Sequence, residues 1–301
     1  MATEHRSARF ANLDAWDSQD ILAALFEGQL AAAAAVRPAL PAIAGAADAA
    51  VARLRRGGRL IYAGAGTSGR IGVQDGAELP PTFNWPEHRV AFALAGGEAA
   101  LLTAVEDAED SEAAGAARMV ELAVGADDVV IGLAASGTTP YTVAALREAR
   151  ARGAQTVGVA NNADVPVLAV CTHPILAETG EEVIAGSTRM KAGTAQKIVL
   201  NLFSSLVMIR LGRVYGGLMV HMRTTNAKLR RRGAHMVSEI AGCALAEAEA
   251  ALARTNGDVK LAALVASGVE PAEATAFLAS NGDDLRRALA ALPRAPATPQ
   301  T

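Results

Sequence analysis

Short apolar runs alternate with longer alanine-rich segments along the chain, up to about Ile240. The runs are rich in Val, Ile and Leu and predict five strands, at 59–63, 89–95, 128–134, 156–160 and 174–177. Helices are predicted ahead of them at 18–35 and 40–56, and Gly57-Gly58 ends the second helix. Because strands that alternate with helices form a parallel sheet covered on both faces, the pattern predicts an α/β fold.

After Ile240 the strand pattern stops and a helix-turn pattern occurs twice. Asn256-Gly257-Asp258 and Asn281-Gly282-Asp283 stand 25 residues apart, each between stretches rich in Ala and Leu. The last nine residues are rich in Pro, Ala and Thr, a composition that we expect to be disordered. We therefore predict four parts: an N-terminal helical segment (1–57), a sheet domain (58–239), a small all-helical appendage (240–292) and a tail (293–301).

Composition excludes several classes of protein. The 301 residues are 51% apolar, and 28 basic against 31 acidic side chains give a net charge of −3, so the chain is expected to be globular and not to bind nucleic acid. Cys171 and Cys243 are too isolated for a disulfide framework or a metal site, which favours a reducing cytoplasm. The apolar run 198–209 is shorter than the roughly 20 residues of a membrane span, and the N-terminus leads into no apolar signal core.

The first strand runs into a loop that is rich in glycine and hydroxyl groups. Glycines at 64, 66 and 69 have the spacing of a dinucleotide-binding fingerprint, which is a weak signal alone. A ribose would need an acidic residue about 20 positions further on, at the end of the next strand, but the acid at the end of that strand, Glu98, comes later. Thr67 and Ser68 in the turn instead favour a monophosphate group.

Two later loops have the same character. One contains Ser136, Gly137, Thr138 and Thr139 ahead of Pro140, and the other contains Ser187, Thr188 and Lys191 at the start of a long helix. A helix N-terminus attracts anions through its unpaired N–H groups and dipole. One such loop is usually only a helix cap, but three at the carboxyl edge of a parallel sheet predict a phosphate site. Arg70, Arg189 and Lys191 are candidates for neutralising the phosphate.

Carboxylates supply the remaining candidate chemistry. Glu78 precedes Pro80-Pro81, where we expect its helix to stop, because proline lacks the N–H and disfavours helix in the residue before it. A second group of acids lies on a predicted helix over 104–110. The pattern alone does not choose among its members Glu106, Asp107, Glu109 and Asp110.

Six segments, at 64–70, 78–83, 104–110, 186–197, 216–220 and 225–228, resemble the N-acetylmuramic acid 6-phosphate etherases of the sugar-isomerase (SIS) superfamily. The resemblance implies an SIS-type, flavodoxin-like three-layer fold and a homodimer. It also implies cleavage of the lactyl ether of a phosphorylated muramic acid, giving N-acetylglucosamine 6-phosphate and D-lactate, without a metal or organic cofactor. The repeat after Ile240 resembles small ubiquitin-associated (UBA) bundles, and we expect a structural role for it.

The resemblance also assigns roles to residues. It implies that Glu78 protonates the departing lactate and that Glu109 is the base at C2 of the sugar. The residues expected to bind the sugar phosphate are Thr67, Ser68, Ser136, Gly137, Thr138, Thr139, Ser187, Thr188 and Lys191. Thr138 replaces an arginine that is usual in the family, and His221 replaces an aspartate.

Two other functions are alternatives to the etherase. One is a sugar-phosphate sensor similar to glucokinase regulatory proteins, and the other is an aldose-ketose isomerase, against which the carboxylic acid Glu78 argues.

Overall fold

The computed structural model of the chain describes residues 1–103, 105–222, 224 and 226–292. The tail predicted to be disordered, 293–301, lies outside the described residues. Contacts divide the chain into two compact units. Unit 1 comprises residues 1–78 and 86–207, and unit 2 comprises residues 79–85 and the chain from 208 onwards. The domain boundaries predicted at 57/58 and 239/240 do not coincide with the boundaries of these two units, and they stay predictions.

Unit 1 is built on a five-stranded parallel sheet with the strand order β2-β1-β3-β4-β5. The strands are β1 (Leu60–Gly64), β2 (Val90–Leu94), β3 (Val129–Ala134), β4 (Gln155–Ala160) and β5 (His173–Leu176). The α/β prediction is therefore confirmed, with every strand within one residue of its predicted bounds. The order reverses between β1 and β3, and open parallel sheets of this kind bind ligands in the crevice at that point, beyond the carboxyl ends of the strands.

Helices cover both faces of the sheet, as predicted for a three-layer fold. They are α1 (Ser18–Val36), α2 (Leu40–Arg55), α3 (Gly66–Phe83), α4 (Glu112–Glu121), α5 (Pro140–Ala151), α6 (Pro166–Val170) and α7 (Lys191–Arg210). Ile61 and Val130 pack with residues of α4, α5 and α6 on one face. On the other face Tyr62 contacts Asp75 of α3, and Gln155 donates a hydrogen bond to the backbone of α2.

Among the described residues, two helical stretches are long and apolar enough to span a bilayer by length and composition alone, Ser18–Arg55 and Lys191–Arg210. The second stretch is longer than the run at 198–209 on which the sequence expectation was based. In the structure α7 is a core helix, since Val199, Phe203 and Val207 are at most 1% exposed. These three side chains pack within the protein, while Leu202 and Ile209 of the same helix are exposed.

The amino end of the sheet is held by a carboxylate at the start of β3. Asp128 accepts hydrogen bonds from the Arg59 guanidinium at 2.7 Å and 3.1 Å, from the Arg59 backbone N–H at 3.0 Å and from the Gly125 N–H at 3.0 Å. Burial alone would raise the pKa of Asp128, but these bonds outweigh it and hold the pKa below its ordinary value. Ionised Asp128 therefore stabilises the fold at neutral pH, and this stabilisation is lost as the pH falls below the ordinary aspartate range.

We expect Asp128→Ala to lower the free energy of unfolding by about 3 kcal/mol, because it leaves the partly buried Arg59 without its charge partner. Urea unfolding followed by circular dichroism measures the loss. The neighbouring Asp127 provides the matched control, since its ion pair with Arg56 is largely exposed and Asp127→Ala should cost less than about 1 kcal/mol. Equal losses of unfolding free energy in the two variants would contradict the stabilising role given to Asp128.

Unit 2 is helical, as predicted for the C-terminal part of the chain. It contains α8 (Ala227–Ala241), α9 (Leu245–Arg254), α10 (Val259–Ala266), α11 (Pro271–Ser280) and α12 (Leu285–Ala290). The two Asn-Gly-Asp turns lie between helices of this bundle. Asp258 caps α10 through the Leu261 N–H, whereas in the second turn the next residue, Asp284, caps α12. Buried Lys260 joins the two turns by donating a hydrogen bond to the Asp283 carbonyl oxygen.

His221 lines a cavity of about 370 Å³ within unit 2. Burial, together with the nearby charges of Lys260 and Arg213, lowers the pKa of His221 to about 3. The imidazole is therefore neutral at pH 7. Because the folded-state pKa lies below the unfolded value of about 6.5, the folded unit resists protonation and loses stability as the pH falls through this range.

We expect acidification from pH 7 to pH 4 to cost unit 2 about 3 kcal/mol through His221, and His221→Gln to remove this part of the pH dependence. The fluorescence of buried Trp85, which belongs to unit 2, reports the unfolding in a Trp16→Phe background. His235→Gln is the control because His235 is exposed on α8. A pH dependence that is the same with and without His221 would contradict the prediction.

Candidate functional site

The first predicted loop brings a helix N-terminus against the end of β1. A Cβ atom at Gly69 would lie 2.2 Å from Leu94 Cδ1, and one at Gly64 would lie 2.9 Å from the Gly69 Cα. Only glycine permits this close approach of strand end and helix. Thr67 and Ser68 consequently stand in the first turn of α3, where backbone N–H groups have no partner within the helix.

The second loop connects β3 to α5 and is held in one conformation. Gly137 has a φ of 77°, and a Cβ there would lie 2.1 Å from Val165 Cγ2. Ser136 Oγ accepts hydrogen bonds from the backbone N–H and the hydroxyl of Thr138, both at 3.2 Å. Thr139 occupies the N-cap position of α5, but its hydroxyl makes no capping hydrogen bond within the described chain. The Thr139 hydroxyl therefore makes no hydrogen bond to the first turn of α5 that a ligand would have to replace.

The third loop leads into α7, whose N-terminus is already bound to a carboxylate of the same chain. Glu182 is fully buried and accepts hydrogen bonds from the N–H groups of Lys191 and Ala192, both at 2.9 Å. The Lys191 ammonium donates to the Glu181 carbonyl oxygen at 2.7 Å. These contacts occupy Lys191 and the first turn of α7. Half-buried Ser187 and Thr188 are the hydroxyl groups that this loop can offer to a ligand.

The structure brings the three loops to one edge of the sheet. The first and second follow β1 and β3, which pair directly through Gly64 and Leu133. The start of α7 lies beside the first loop, because a Cβ at Gly193 would be 3.5 Å from Thr67 Cγ2. They meet at the carboxyl ends of β1 and β3, the two strands between which the strand order reverses.

Asn162 and the N-terminal segment join the second loop to the third. The Asn162 side-chain amide donates to the Ala135 carbonyl and to the Thr3 hydroxyl, both at 3.0 Å. The Thr3 carbonyl in turn accepts a hydrogen bond from the Gly186 N–H at 3.2 Å. Sequence reasoning missed Asn162, although a polar Asn-Asn pair directly after β4, at the carboxyl edge of a parallel sheet, is a usable signal.

Glu78 is exposed on α3, on the side of the helix that also carries Thr67. The two residues are eleven positions apart, which is three helical turns and about 16 Å along the axis. The prediction that the helix stops before Pro80-Pro81 is wrong, because α3 continues to Phe83. The fixed φ of proline is itself helical, so the last turn of α3 forms although two of its N–H donors are missing.

Glu109 is also exposed, and it lies in a 3-10 turn (Ala108–Asp110). The predicted helix over 104–110 is wrong for the described residues 105–110, since Asp107 adopts the left-handed conformation with a φ of 58°. Ala108 packs against a small cluster of Ala65, Ala95 and Tyr141. Because Ala65 belongs to the first loop and Tyr141 to the first turn of α5, this packing sets the Glu109 turn beside the first and second loops.

Two of the three predicted phosphate-neutralising side chains are used elsewhere, Lys191 in its bond to the Glu181 carbonyl oxygen and Arg70 in the chain after β2. The Arg70 guanidinium donates to the carbonyl oxygens of Ala100 at 2.9 Å and Thr103 at 3.4 Å, so it fixes the chain after β2. Arg189 is exposed beside the third loop. In the described part of the chain no three His, Cys, Asp or Glu side chains are grouped as metal ligands. Cys171 and Cys243 are unpaired thiols.

Comparison with known proteins identifies close relatives of this chain. Residues 106–206 match the SIS domain family, and residues 42–150 match the family of glucokinase regulatory protein N-terminal SIS domains. The N-acetylmuramic acid 6-phosphate etherase of Deinococcus radiodurans is 49% identical over 95% of this chain and 94% of its own length. The protein of the same name from Streptomyces avermitilis is 48% identical over 98% of this chain and 95% of its own length.

A solved structure supports the fold independently. A phosphoheptose isomerase from Francisella tularensis superposes with a TM-score of 0.52 at 22% identity, covering 64% of this chain and all of its own. At this identity the structural similarity shows the fold alone.

Proposed function

We propose a mechanism for this chain from the premise that it belongs to the N-acetylmuramic acid 6-phosphate etherase family. The chain is an enzyme that cleaves the D-lactyl ether of N-acetylmuramic acid 6-phosphate, giving N-acetylglucosamine 6-phosphate and D-lactate in cell-wall sugar recycling. The observation that carries the mechanism is the meeting of three hydroxyl-rich loops at one sheet edge, with the Glu109 turn packed beside them.

The chemistry of the ether dictates an elimination. An unactivated alkyl ether has a poor leaving group, so direct displacement is slow. When the sugar ring opens, C2 lies next to the C1 aldehyde and its proton becomes removable. Loss of that proton first leaves an enolate stabilised by the C1 carbonyl. The C3–O bond then breaks, lactate departs and a C2–C3 double bond forms. Water then adds its oxygen to C3 and a proton to C2, which restores a saturated sugar.

These reaction steps need two carboxyl groups with opposite tasks. Glu109 takes the C2 proton as a base, and Glu78 gives a proton to the lactyl oxygen as an acid. Because both side chains are exposed in the single chain, the site must be closed by substrate or by a second subunit before their environments can differ as the two roles require. Side chains of an α-helix tilt toward its N-terminus, which directs Glu78 back toward the phosphate end of α3.

The phosphate is held by hydroxyl and backbone N–H groups. The α3 N-terminus with Thr67 and Ser68 supplies an anion site of the usual kind. Thr138 and Thr139 from the second loop and Ser187 and Thr188 from the third complete it, with Ser136 and Gly137 shaping the second loop. Lys191 adds its positive charge to this site when substrate binding releases its ammonium group from the Glu181 carbonyl oxygen.

The sensor alternative finds less support than the enzyme. The match to a glucokinase regulatory protein domain covers residues 42–150, whereas the etherase relatives align over nearly the full chain. Glu78 and Glu109, which a sensor of sugar phosphates would not require, are both present. An isomerase would likewise not need an acid to expel lactate.

An exposed apolar stripe on α1 is consistent with a homodimer, and two unpaired thiols are consistent with a cytoplasmic location. Leu22, Phe26 and Leu30 of α1 are 56–64% exposed and repeat every four residues, so they form an apolar stripe suited to a second copy of the chain. Unpaired thiols at Cys171 and Cys243 suit a reducing compartment.

Incubation of the purified chain with N-acetylmuramic acid 6-phosphate, followed by an enzymatic assay for D-lactate, tests the function. Lactate should appear in step with N-acetylglucosamine 6-phosphate. Unphosphorylated N-acetylmuramic acid is the matched control, and it should react at least about a hundredfold more slowly because it lacks the anchoring group. Absence of lactate from the phosphorylated sugar, or equal rates with both sugars, would overturn the proposal.

A further inference from the structure

A buried hydrogen-bond network joins β1, α3 and α7. Asp75 is 5% exposed, and its carboxylate accepts three side-chain hydrogen bonds. Tyr62 Oη donates to Oδ2 at 2.8 Å, while Asn201 Nδ2 at 2.8 Å and Ser204 Oγ at 3.1 Å donate to Oδ1. Lys197 extends the network by donating to Asn201 Oδ1 at 3.0 Å. Burial raises the pKa of Asp75, and the three hydrogen bonds oppose that rise.

The network fixes the register of two parallel helices. At their N-terminal ends, α3 and α7 meet where Thr67 lies beside Gly193. Eight residues further along each helix, Asp75 of α3 meets Asn201 of α7. Equal steps along both helices mean that α3 and α7 run side by side in the same direction. Asp75 is thus a polar contact between the two helices one helical stretch beyond their N-terminal ends.

Both helices carry parts of the proposed active site. Thr67 and Ser68 open α3, the third loop leads directly into α7, and Glu78 lies one turn beyond Asp75 on α3. A slide of a single residue would shift Glu78 by about 1.5 Å relative to α7. A misplacement of about 1 Å can cost a hundredfold in rate.

We propose that Asp75 is a positioning residue for the ether-cleaving reaction, which locks α3 against α7 and β1 so that Glu78 meets the lactyl oxygen while the loops hold the phosphate. The inference rests on the proposed function. A carboxylate suits this position because its two oxygens serve three donors from two neighbouring elements, whereas an apolar side chain would leave the buried hydroxyl groups of Tyr62 and Ser204 without this partner.

The test compares two rates in heavy water with N-acetylmuramic acid 6-phosphate: exchange of the C2 proton in recovered substrate and release of lactate. Glu78 acts only in the second. We expect Asp75→Ala to raise the ratio of exchange to release at least about tenfold, and Asn201→Ala, which removes one hydrogen bond from a mostly exposed residue, to raise it about threefold. Gln74→Ala, an exposed neighbour on α3, is the control and should leave the ratio unchanged.

A purely structural role of Asp75 would lower both rates together, because only the amount of folded enzyme would change. An unchanged ratio in folded Asp75→Ala therefore overturns the proposal. If Asp75→Ala does not fold, Asn201→Ala decides in the same way, with an unchanged ratio overturning the proposal. Wild-type protein that neither exchanges the proton nor releases lactate would show instead that the proposed function itself is wrong.

Discussion

Glu109→Ala should lose both proton exchange at C2 and lactate release from N-acetylmuramic acid 6-phosphate. The C2 proton must leave before the C3–O bond breaks, so removal of the base stops every later step. General-base catalysis contributes about 10²- to 10⁴-fold, and we expect both rates to fall by at least this factor. Deuterium incorporation into recovered substrate and coupled detection of D-lactate measure the two rates.

The acidic segment around Glu109 offers its own control. Glu106 is exposed in the same segment, and Glu106→Ala should leave both rates within about twofold of wild type, since surface substitutions away from a site have small effects. If Glu109→Ala keeps its exchange rate while another acid of the segment proves essential, the base has been assigned to the wrong carboxylate. The sequence pattern alone left that choice open.

Glu78→Ala should separate the two steps. Exchange at C2 continues because Glu109 still removes the proton and delivers a deuteron from solvent in its place, but lactate leaves poorly without a proton donor. We expect lactate release to fall by about 10²- to 10⁴-fold while exchange stays within about threefold of wild type. Recovered substrate should therefore accumulate deuterium that the wild-type enzyme passes on to product.

Glu87→Ala serves as the control for Glu78, because Glu87 is an exposed glutamate that follows the same helix. It should change neither rate by more than about twofold. Normal lactate release by Glu78→Ala would remove the acid from the mechanism. Loss of exchange together with release would mean that Glu78 takes part in proton removal and not in departure of lactate.

The sheet and the site loops were open to prediction because their signals are local. Each strand is a short Val-, Ile- and Leu-rich run, and parallel strands place their carboxyl ends at one edge whatever their order. Hydroxyl residues that follow such strands, among them Thr67, Ser136 and Ser187, were therefore expected to meet. The structure brings their loops together at the reversal of strand order.

Features set by distant contacts were beyond sequence reasoning. Glu182 and Lys191 are nine positions apart, and nothing in the pattern shows that the carboxylate of one occupies the backbone N–H of the other. The Asn162 bridge to Thr3 depends on a separation of 159 residues. The left-handed turn at Asp107, which converts a predicted helix into a short 3-10 turn, is a conformation that aspartate only sometimes adopts.

Mass spectrometry of the sugar product formed in heavy water tests the central claim most directly. Reaction of N-acetylmuramic acid 6-phosphate by elimination and water addition must leave one non-exchangeable deuterium at C2 of N-acetylglucosamine 6-phosphate for each lactate released. The account predicts full incorporation in the wild-type product from the first turnover. Product that keeps its original hydrogen at C2 in every turnover would contradict loss of this proton to solvent, and with it the roles given to Glu109 and Glu78.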